Sequence, residues 1–307
     1  MRKKQSAVGA APAGPAEAAA PRAAAAMAPQ PYPDVFGESR YYITSEHMKA
    51  FRSRLFSEAR SRDTAAYHPT DRRRIQDSDE YCWRFIVHNR LDLERAVRMA
   101  DAALKWRAQA RLHELSESSL PRACLQAGFV HPFNVDRYGN HVLLLRPGQV
   151  RDLPLADVRR VLVFFVETLL RRQNASRITL LVDCAGGGDR HQLELGRYLM
   201  ALFRCYYPRS LGFVLLWEPP RLLQGLWKLC KGLMPVEALE RIRFVTVRDI
   251  GRYVDRDKLP VRMGGTDNYH YVYTPGKPLG ERCPRLAPLD PVSCPTASLH
   301  VYGMFTA

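Results

Sequence analysis

The sequence predicts an α/β fold in which a helical N-terminal lobe precedes a mainly parallel sheet flanked by helices. Apolar residues recur at helical spacing from about Tyr41 to Gly128, whereas beyond Gly128 short buried-strand patterns alternate with amphipathic helices. The chain has 307 residues, of which 46% are hydrophobic, so its length and composition suit roughly two folded domains.

Four helical patterns define the predicted N-terminal lobe, residues 41–127. The first carries Met48, Phe51 and Leu55 on one face. The second opens with the acidic residues 77–80, which suit the positive end of a helix. The third has one apolar stripe, which consists of Leu93, Ala96, Val97, Ala100, Ala103 and Leu104. The fourth is short and closes the lobe.

Strand and helix patterns alternate in residues 128–268, the predicted α/β lobe. A hairpin-type turn at residues 136–140 separates its first two extended stretches. The second of these stretches is a strand at 141–145, and the later elements are strands at 178–182, 211–217 and 242–247 and helices at 157–172, 193–204 and 221–233. Because helices connect the later strands, the sheet is expected to be mainly parallel.

The two ends of the chain differ in composition from this folded region. Residues 1–40 form an Ala/Pro-rich tail with few large apolar side chains, so we expect them to be disordered. Residues 269–307 are rich in proline and aperiodic, and we expect a loose C-terminal tail.

The net charge is +15, and about half of this excess lies in residues 128–268. A basic excess fits nucleic acid, an anionic membrane surface or simply a soluble surface. No zinc finger, RNP motif or KH loop accompanies it, which argues against nucleic acid.

Targeting and cysteine patterns bear on the compartment. No run approaches the about 18 apolar residues of a membrane-spanning helix, and the N-terminus lacks the apolar core of a secretory signal. The seven cysteines show no CxxC pair, which is typical of reduced thiols rather than metal ligands. We expect a cytoplasmic protein without a metal ion or cofactor.

No set of residues suggests catalysis. The loop 183–188 follows a strand but has neither GxGxxG nor GxxxxGK[ST] spacing. Cys184 near His191 resembles a nucleophile with its base, yet a cysteine on a buried strand is usually inert. Asp183, Glu167 and Glu218 are expected to accept hydrogen bonds within the fold. These patterns indicate a binding protein rather than an enzyme.

The segment 219–235 has two interpretations. It is either an ordinary helix on the sheet or a lid over an apolar cavity that also touches lipid. Its broad apolar face consists of Leu222, Leu223, Leu226, Leu229, Cys230 and Leu233. Trp227 at the edge and Lys228 and Lys231 on the other side suit a membrane interface.

Three arginines lie near predicted strand ends: Arg209 precedes one strand, and Arg241 and Arg243 enter the last. Guanidinium groups suit phosphate because they donate two parallel hydrogen bonds. The alternative is ordinary solvated charge.

Several short patterns, in this order, resemble the CRAL-TRIO lipid-binding family over about residues 41–268. They are Tyr81-Cys82-Trp83-Arg84-Phe85-Ile86, Leu91 to Ala96, Lys105-Trp106-Arg107, Asp136 to Asn140, Tyr206-Tyr207-Pro208, Leu259-Pro260 and Met263 to Thr266. The resemblance implies two lobes around one apolar cavity that holds a single hydrophobic ligand, a phospholipid first among them. It also implies that residues 221–233 form the mobile gate helix.

The same resemblance implies a peripheral membrane protein that binds or transfers lipid without catalysis. In members that bind phosphatidylinositol, an acidic residue follows Tyr-Tyr-Pro, where this chain has Arg209. Half of the inositol-binding pair is therefore absent, and Arg209 with Arg241 resembles instead the basic mouth that touches phosphoinositide membranes. The alternative function is a regulatory scaffold that uses the surface of the fold to bind a protein partner.

Overall fold

A computed structural model describes residues 41–61, 66–172, 175, 177–185, 190–220, 224–225, 239–277 and 279–283. The predicted disordered tail, residues 1–40, lies outside them. The helices are α1 (Ser45–Ser61), α2 (Pro69–Asp77), α3 (Asp79–His88), α4 (Leu93–Gln109), α5 (Arg122–Ala127), α6 (Leu155–Glu167), α7 (Arg190–Cys205) and the short α8 (Leu279–Arg282). The strands are β1 (Val130–Val135), β2 (His141–Leu145), β3 (Ile178–Asp183), β4 (Leu211–Trp217) and β5 (Ile242–Val245).

Helices α1 to α4 pack around their own apolar core. Side chains cap three of them: His68 Nδ1 accepts a hydrogen bond from Thr70 N at 3.3 Å, Ser78 Oγ from Tyr81 N at 3.1 Å and Asp92 Oδ1 from Arg95 N at 2.9 Å. The predicted stripe of α4 is buried in this core from Ala96 to Leu104, together with Phe51 and other apolar side chains of α1 and α3.

The described strands form one mixed sheet in the order β1-β2-β3-β4-β5. β1 pairs antiparallel with β2, and each later pair is parallel, so the prediction of a mainly parallel sheet is confirmed. The β1–β2 turn is held by Asp136, whose buried carboxylate accepts hydrogen bonds from Tyr138 N, Asn140 N and Thr179 Oγ1. Thr179 lies on β3, so this turn is fixed to the sheet.

The two faces of the sheet pack against different layers. The front face packs on α6 and α7 and consists of Leu143, Leu145, Leu180, Val182, Val214, Leu216 and Ile242. The back face is covered by the chain that follows β5, and it consists of Val142, Leu144, Leu181, Phe213, Leu215, Trp217 and Val245. The covering side chains are Ile250, Val254, Leu259 and Met263.

Three details differ from the sequence-based expectation. Strand β5 ends at Val245, because Thr246 and Asp249 turn the chain through a side-chain hydrogen bond of 2.9 Å. Helix α6 changes at Thr168 into a π-helical turn, Thr168–Arg172. The start of the expected loose tail is packed: the Tyr271 ring stacks on His131, with centroids 4.8 Å apart.

No helix among the described residues is long and apolar enough to cross a membrane.

Candidate functional site

The first candidate site is the front face of the sheet beside β4 and β5. In the parallel register Val182 lies opposite Leu216, and Leu216 lies opposite Phe244. Leu216, Ile242 and Phe244 are only half-buried by the described residues, whereas the front face nearer β2 is covered by α6 and α7. The front face carries apolar side chains at each of these positions, which makes it suitable as one wall of a lipid cavity.

The residues predicted for the gate fall outside the described part of the chain. They are Leu222, Leu223, Leu226, Trp227, Leu229, Cys230 and Leu233, with the basic Lys228 and Lys231. Of this segment the structure describes Gln224 and Gly225, which are helical. The Gln224 side chain donates to Pro219 O at 2.9 Å, so the helix is joined to the chain that leaves β4.

Arg209 and Arg241 lie together where β4 begins. Arg209 Nη2 donates to Val87 O of α3 at 3.2 Å, and the Arg209 backbone has a φ of 56°, in the left-handed region. The Arg241 side chain is buried, and its Nη1 donates to Leu211 O. Their contacts join β4 and β5 to the helical lobe, and their role at a headgroup or membrane stays a prediction.

Arg243 lies one position into β5. Its Nη1 donates to Leu239 O at 3.0 Å and to Ile242 O at 3.2 Å, so the guanidinium stays beside the chain that enters the strand. Its predicted contact with an anionic membrane likewise stays a prediction.

A buried ion-pair cluster joins the two lobes below this edge. Arg107 of α4 is 1% exposed and donates from Nη1 and Nη2 to the two carboxylate oxygens of Glu167, each at 2.8 Å. Arg107 Nε also donates to Asp71 Oδ2 at 3.0 Å, and Tyr207 Oη donates to Glu167 at 2.5 Å. The cluster therefore connects α2, α4, α6 and the turn before β4.

Electrostatics favour the charged forms of these carboxyl groups despite burial. Burial alone raises the pKa of Glu167, but Arg107, Arg171 and the Tyr207 hydroxyl together hold it at about 2. The pKa of Asp71 is lowered in the same way, against its burial, by Arg107 and His113. Both groups are carboxylates at neutral pH.

A cleft opens beside the cluster and is lined mostly by arginine and tyrosine side chains. Its lining residues include Arg74, Arg84, Arg171, Tyr81, Tyr206 and Ser210. Arg84 Nη1 donates to Ser210 Oγ at 2.9 Å, and the Trp106 ring stacks on Tyr206 with centroids 4.2 Å apart. These contacts tie the helical lobe to the Tyr-Tyr-Pro turn and thus to the start of β4.

The carboxylates and the cysteine considered for catalysis have other partners. The expectation that Glu167 and Asp183 accept hydrogen bonds within the fold is confirmed, since Asp183 Oδ1 accepts from Ala185 N at 3.1 Å and the carboxylate pairs with Arg262. Burial raises the pKa of the Cys184 thiol to about 11, which leaves it protonated and a poor nucleophile. The side chain of His191 lies outside the described residues.

Comparison with known proteins identifies the α/β lobe. Residues 125–265 match the sequence profile of the CRAL/TRIO domain. This region is therefore similar to the CRAL/TRIO family, and the sheet with its helices has the CRAL/TRIO type of fold. The matched CRAL/TRIO residues begin in α5 and end after β5, so they include both faces of the sheet.

Individual relatives are distant. A CRAL-TRIO domain-containing protein of Schizosaccharomyces pombe is 22% identical over 212 residues, 64% of this chain and 48% of that protein. The phosphatidylinositol transfer protein CSR1 of Eremothecium gossypii is 21% identical over 210 residues, 63% of this chain and 48% of that protein. The chain thus spans about half the length of these relatives.

A solved structure shares the fold of most of this chain. The crystal structure of Sfh5 superposes with a TM-score of 0.56, at 13% sequence identity, over 82% of this chain and 95% of that one.

Proposed function

We propose that this chain binds one hydrophobic lipid, a phospholipid first among the candidates, in an apolar cavity and transfers it between membranes or presents it there. The cavity lies between the front face at β4–β5 and the predicted gate, residues 221–233. We also propose that the segment from Met263 to Tyr269 resembles the CRAL-TRIO domain of motile sperm domain-containing protein 2. The protein works in the cytoplasm and docks peripherally on an anionic membrane surface.

The half-buried apolar face at Leu216, Ile242 and Phe244 carries this proposal. The crossovers β2–α6–β3 and β3–α7–β4 both pack on the front face. Crossover connections between parallel strands of one sheet have the same handedness. A β4–β5 connection of that handedness therefore also crosses the front face, over Leu216 and Phe244. Lipid tails that bury a few hundred Å2 at about 25 cal/mol per Å2 gain several kcal/mol.

The proposed mouth of the cavity is the start of β4 and β5, where Arg209 contacts Val87 O, Arg241 contacts Leu211 O and Arg243 contacts Leu239 O. Lys228 and Lys231 add positive charge, and Leu222, Leu226 and Trp227 enter the interface. Acidic headgroups attract such a surface by about 1 kcal/mol for each basic residue near it. The name of the transfer protein among the relatives, which refers to phosphatidylinositol, supports an anionic phospholipid as the first ligand to test.

The proposed mechanism is non-covalent. Docking displaces the gate, one lipid leaves the bilayer for the cavity, and closure removes its tails from water. No step requires a nucleophile, which agrees with the protonated thiol of Cys184.

A transfer assay tests the function directly. Donor vesicles carry a self-quenched fluorescent phosphatidylinositol, acceptor vesicles carry none, and the full chain is added in catalytic amounts. Dequenching above the spontaneous rate supports transfer. Absence of dequenching, together with failure of the protein to load any lipid from vesicles, favours the alternative of a scaffold that binds a protein partner.

A further inference from the structure

A second polar cluster lies on the back face of the sheet, at the edge where the parallel strands end. In the register of the sheet Leu145 lies opposite Val182 and Asp183 lies opposite Trp217. Arg146 directly follows Leu145, so Arg146, Asp183 and Trp217 form a row across three strands. Arg262, in the chain that covers the back face, pairs with Asp183 and places its guanidinium 5.0 Å from the centre of the Trp217 ring. We call these four residues the carboxyl-edge cluster.

Two buried hydrogen-bond donors of this cluster have no acceptor within the described part of the chain. Trp217 is 5% exposed and its indole Nε1 contacts no acceptor there, and the same is true of the buried Nε of Arg146. An indole N–H and a guanidinium N–H act only as donors. A buried donor without a partner destabilises the fold, so both groups favour a bound acceptor.

The charges of the cluster point to an anion as that acceptor. The cluster has two guanidinium groups and one carboxylate, Asp183, whose oxygens already face Arg262 and Ala185 N. Burial first and repulsion from Arg146 second lower the pKa of Arg262, which shows that the two cations are close. His131, on β1, is buried and held neutral, with a pKa of about 3 from burial and from Arg146. One added negative charge therefore balances the cluster.

We propose that the carboxyl-edge cluster binds a phosphate group, with Arg146 and Arg262 as its cationic contacts and the Trp217 indole N–H as a neutral donor. Arginine suits this chemistry because its planar fork donates two parallel hydrogen bonds to phosphate oxygens. Arg262 is 43% exposed at its side chain, which gives the site an opening to solvent. The site lies on the face of the sheet opposite the proposed lipid cavity, so it is independent of that function.

The indole resonance of Trp217 provides a local readout. The full chain is labelled with 15N, the Trp217 Nε1–H signal is assigned by its loss in Trp217→Phe, and inorganic phosphate is titrated at constant ionic strength. A saturable shift of this signal, with little change at the other tryptophans, is the expected result. A linear drift equal to that with chloride, together with no shift on phosphatidic acid vesicles, overturns the proposal.

Two variants with opposite expected effects on phosphate affinity distinguish binding from a structural effect. Arg146→Gln keeps the Asp183–Arg262 pair and is expected to weaken phosphate binding about tenfold. Asp183→Asn removes the competing carboxylate and is expected to tighten it several-fold. Arg256→Gln, an exposed arginine in the same covering segment, is the matched control and should leave the affinity unchanged. Equal affinities in the parent, Arg146→Gln and Asp183→Asn overturn the assignment.

A second experiment, with vesicles, identifies the source of the phosphate. Vesicles of phosphatidylcholine with phosphatidic acid are compared with vesicles of phosphatidylcholine alone and with inorganic phosphate. A Trp217 shift with phosphatidic acid only assigns a lipid headgroup, and a shift with inorganic phosphate assigns a soluble anion. No shift in either arm contradicts the site.

Discussion

The guanidinium of Arg107 and the carboxylate of Glu167 form a two-bond ion pair, with both N···O distances at 2.8 Å, across the boundary between the helical lobe and α6. Arg107 is 1% exposed and Glu167 8%. Glu167 ends α6, and α6 packs on the front face of the sheet. The pair therefore fixes the helical lobe relative to the wall of the proposed lipid cavity.

Removing one charge of this pair should strongly destabilise the fold. Glu167→Gln leaves Arg107 buried with Asp71 as its remaining anionic partner, and a buried charge without its partner costs about 3–5 kcal/mol. Glu94→Gln, which breaks an exposed pair with Arg98 on α4, should cost less than about 1 kcal/mol. Urea unfolding at pH 7 measures both. Equal costs would show that the Arg107–Glu167 pair has no special role.

Acid should weaken the same pair in a defined pH window. The folded pKa of Glu167, about 2, lies below its usual 4.5, so its contribution to stability is present above about pH 4.5. It is lost as the pH falls from 4.5 towards 2, because the unfolded chain takes up the proton first. The difference in unfolding free energy between the parent and Glu167→Gln should therefore shrink from pH 5 to pH 3. A difference that stays constant over this range contradicts the low pKa.

The sequence predicts the elements better than it predicts this cluster. Periodicity locates α4 because its stripe from Ala96 to Leu104 faces one core. That Glu167 has an internal partner was also predictable, since a carboxylate beside an apolar helix needs one. Its identity was not, because Arg107 lies 60 residues away and only the tertiary fold brings the two together. The Lys105-Trp106-Arg107 pattern was the one available signal.

For the basic residues too, the sequence predicts the position along the chain but not the tertiary contacts. Position alone marks Arg209 and Arg241 as strand-end cations, yet their contacts with Val87 O and Leu211 O depend on how α3 and β4 approach each other. Arg146 and Arg262 were not singled out, because the parallel register that aligns Arg146 with Asp183 is not visible in a linear sequence.

A large side chain on the front face should block lipid binding. Leu216→Trp adds volume where Leu216 lies beside Phe244, and it should lower lipid occupancy at least several-fold. Val261→Trp adds an equally large ring at an exposed position of the covering segment and serves as the control. Occupancy is measured by loading from vesicles, with the circular dichroism spectrum as a check of folding. Normal loading of Leu216→Trp would place the lipid elsewhere.

A charge in the proposed gate should weaken membrane docking. Trp227→Glu replaces an interfacial ring with a carboxylate and should reduce co-sedimentation with liposomes about tenfold while the protein stays folded. Undiminished sedimentation argues against the gate as the docking element. Tyr42→Glu, at an exposed aromatic residue of the helical lobe, is the control.

Reversing two gate lysines should alter lipid-charge preference. Lys228→Glu with Lys231→Glu should remove most of the preference for anionic over neutral liposomes, because each basic residue contributes about 1 kcal/mol near such a surface. Added salt should weaken the parent protein's preference by screening. If the parent binds both liposomes equally at every salt concentration, the electrostatic part of the docking hypothesis is wrong.

The most direct measurement is native mass spectrometry of the full chain purified from a eukaryotic host, followed by extraction and identification of any bound lipid. We predict a population shifted by the mass of one phospholipid, which is lost in Leu216→Trp and retained in Val261→Trp. Protein that carries no lipid, and that takes up none after incubation with phosphatidylinositol vesicles, would contradict the lipid-binding function.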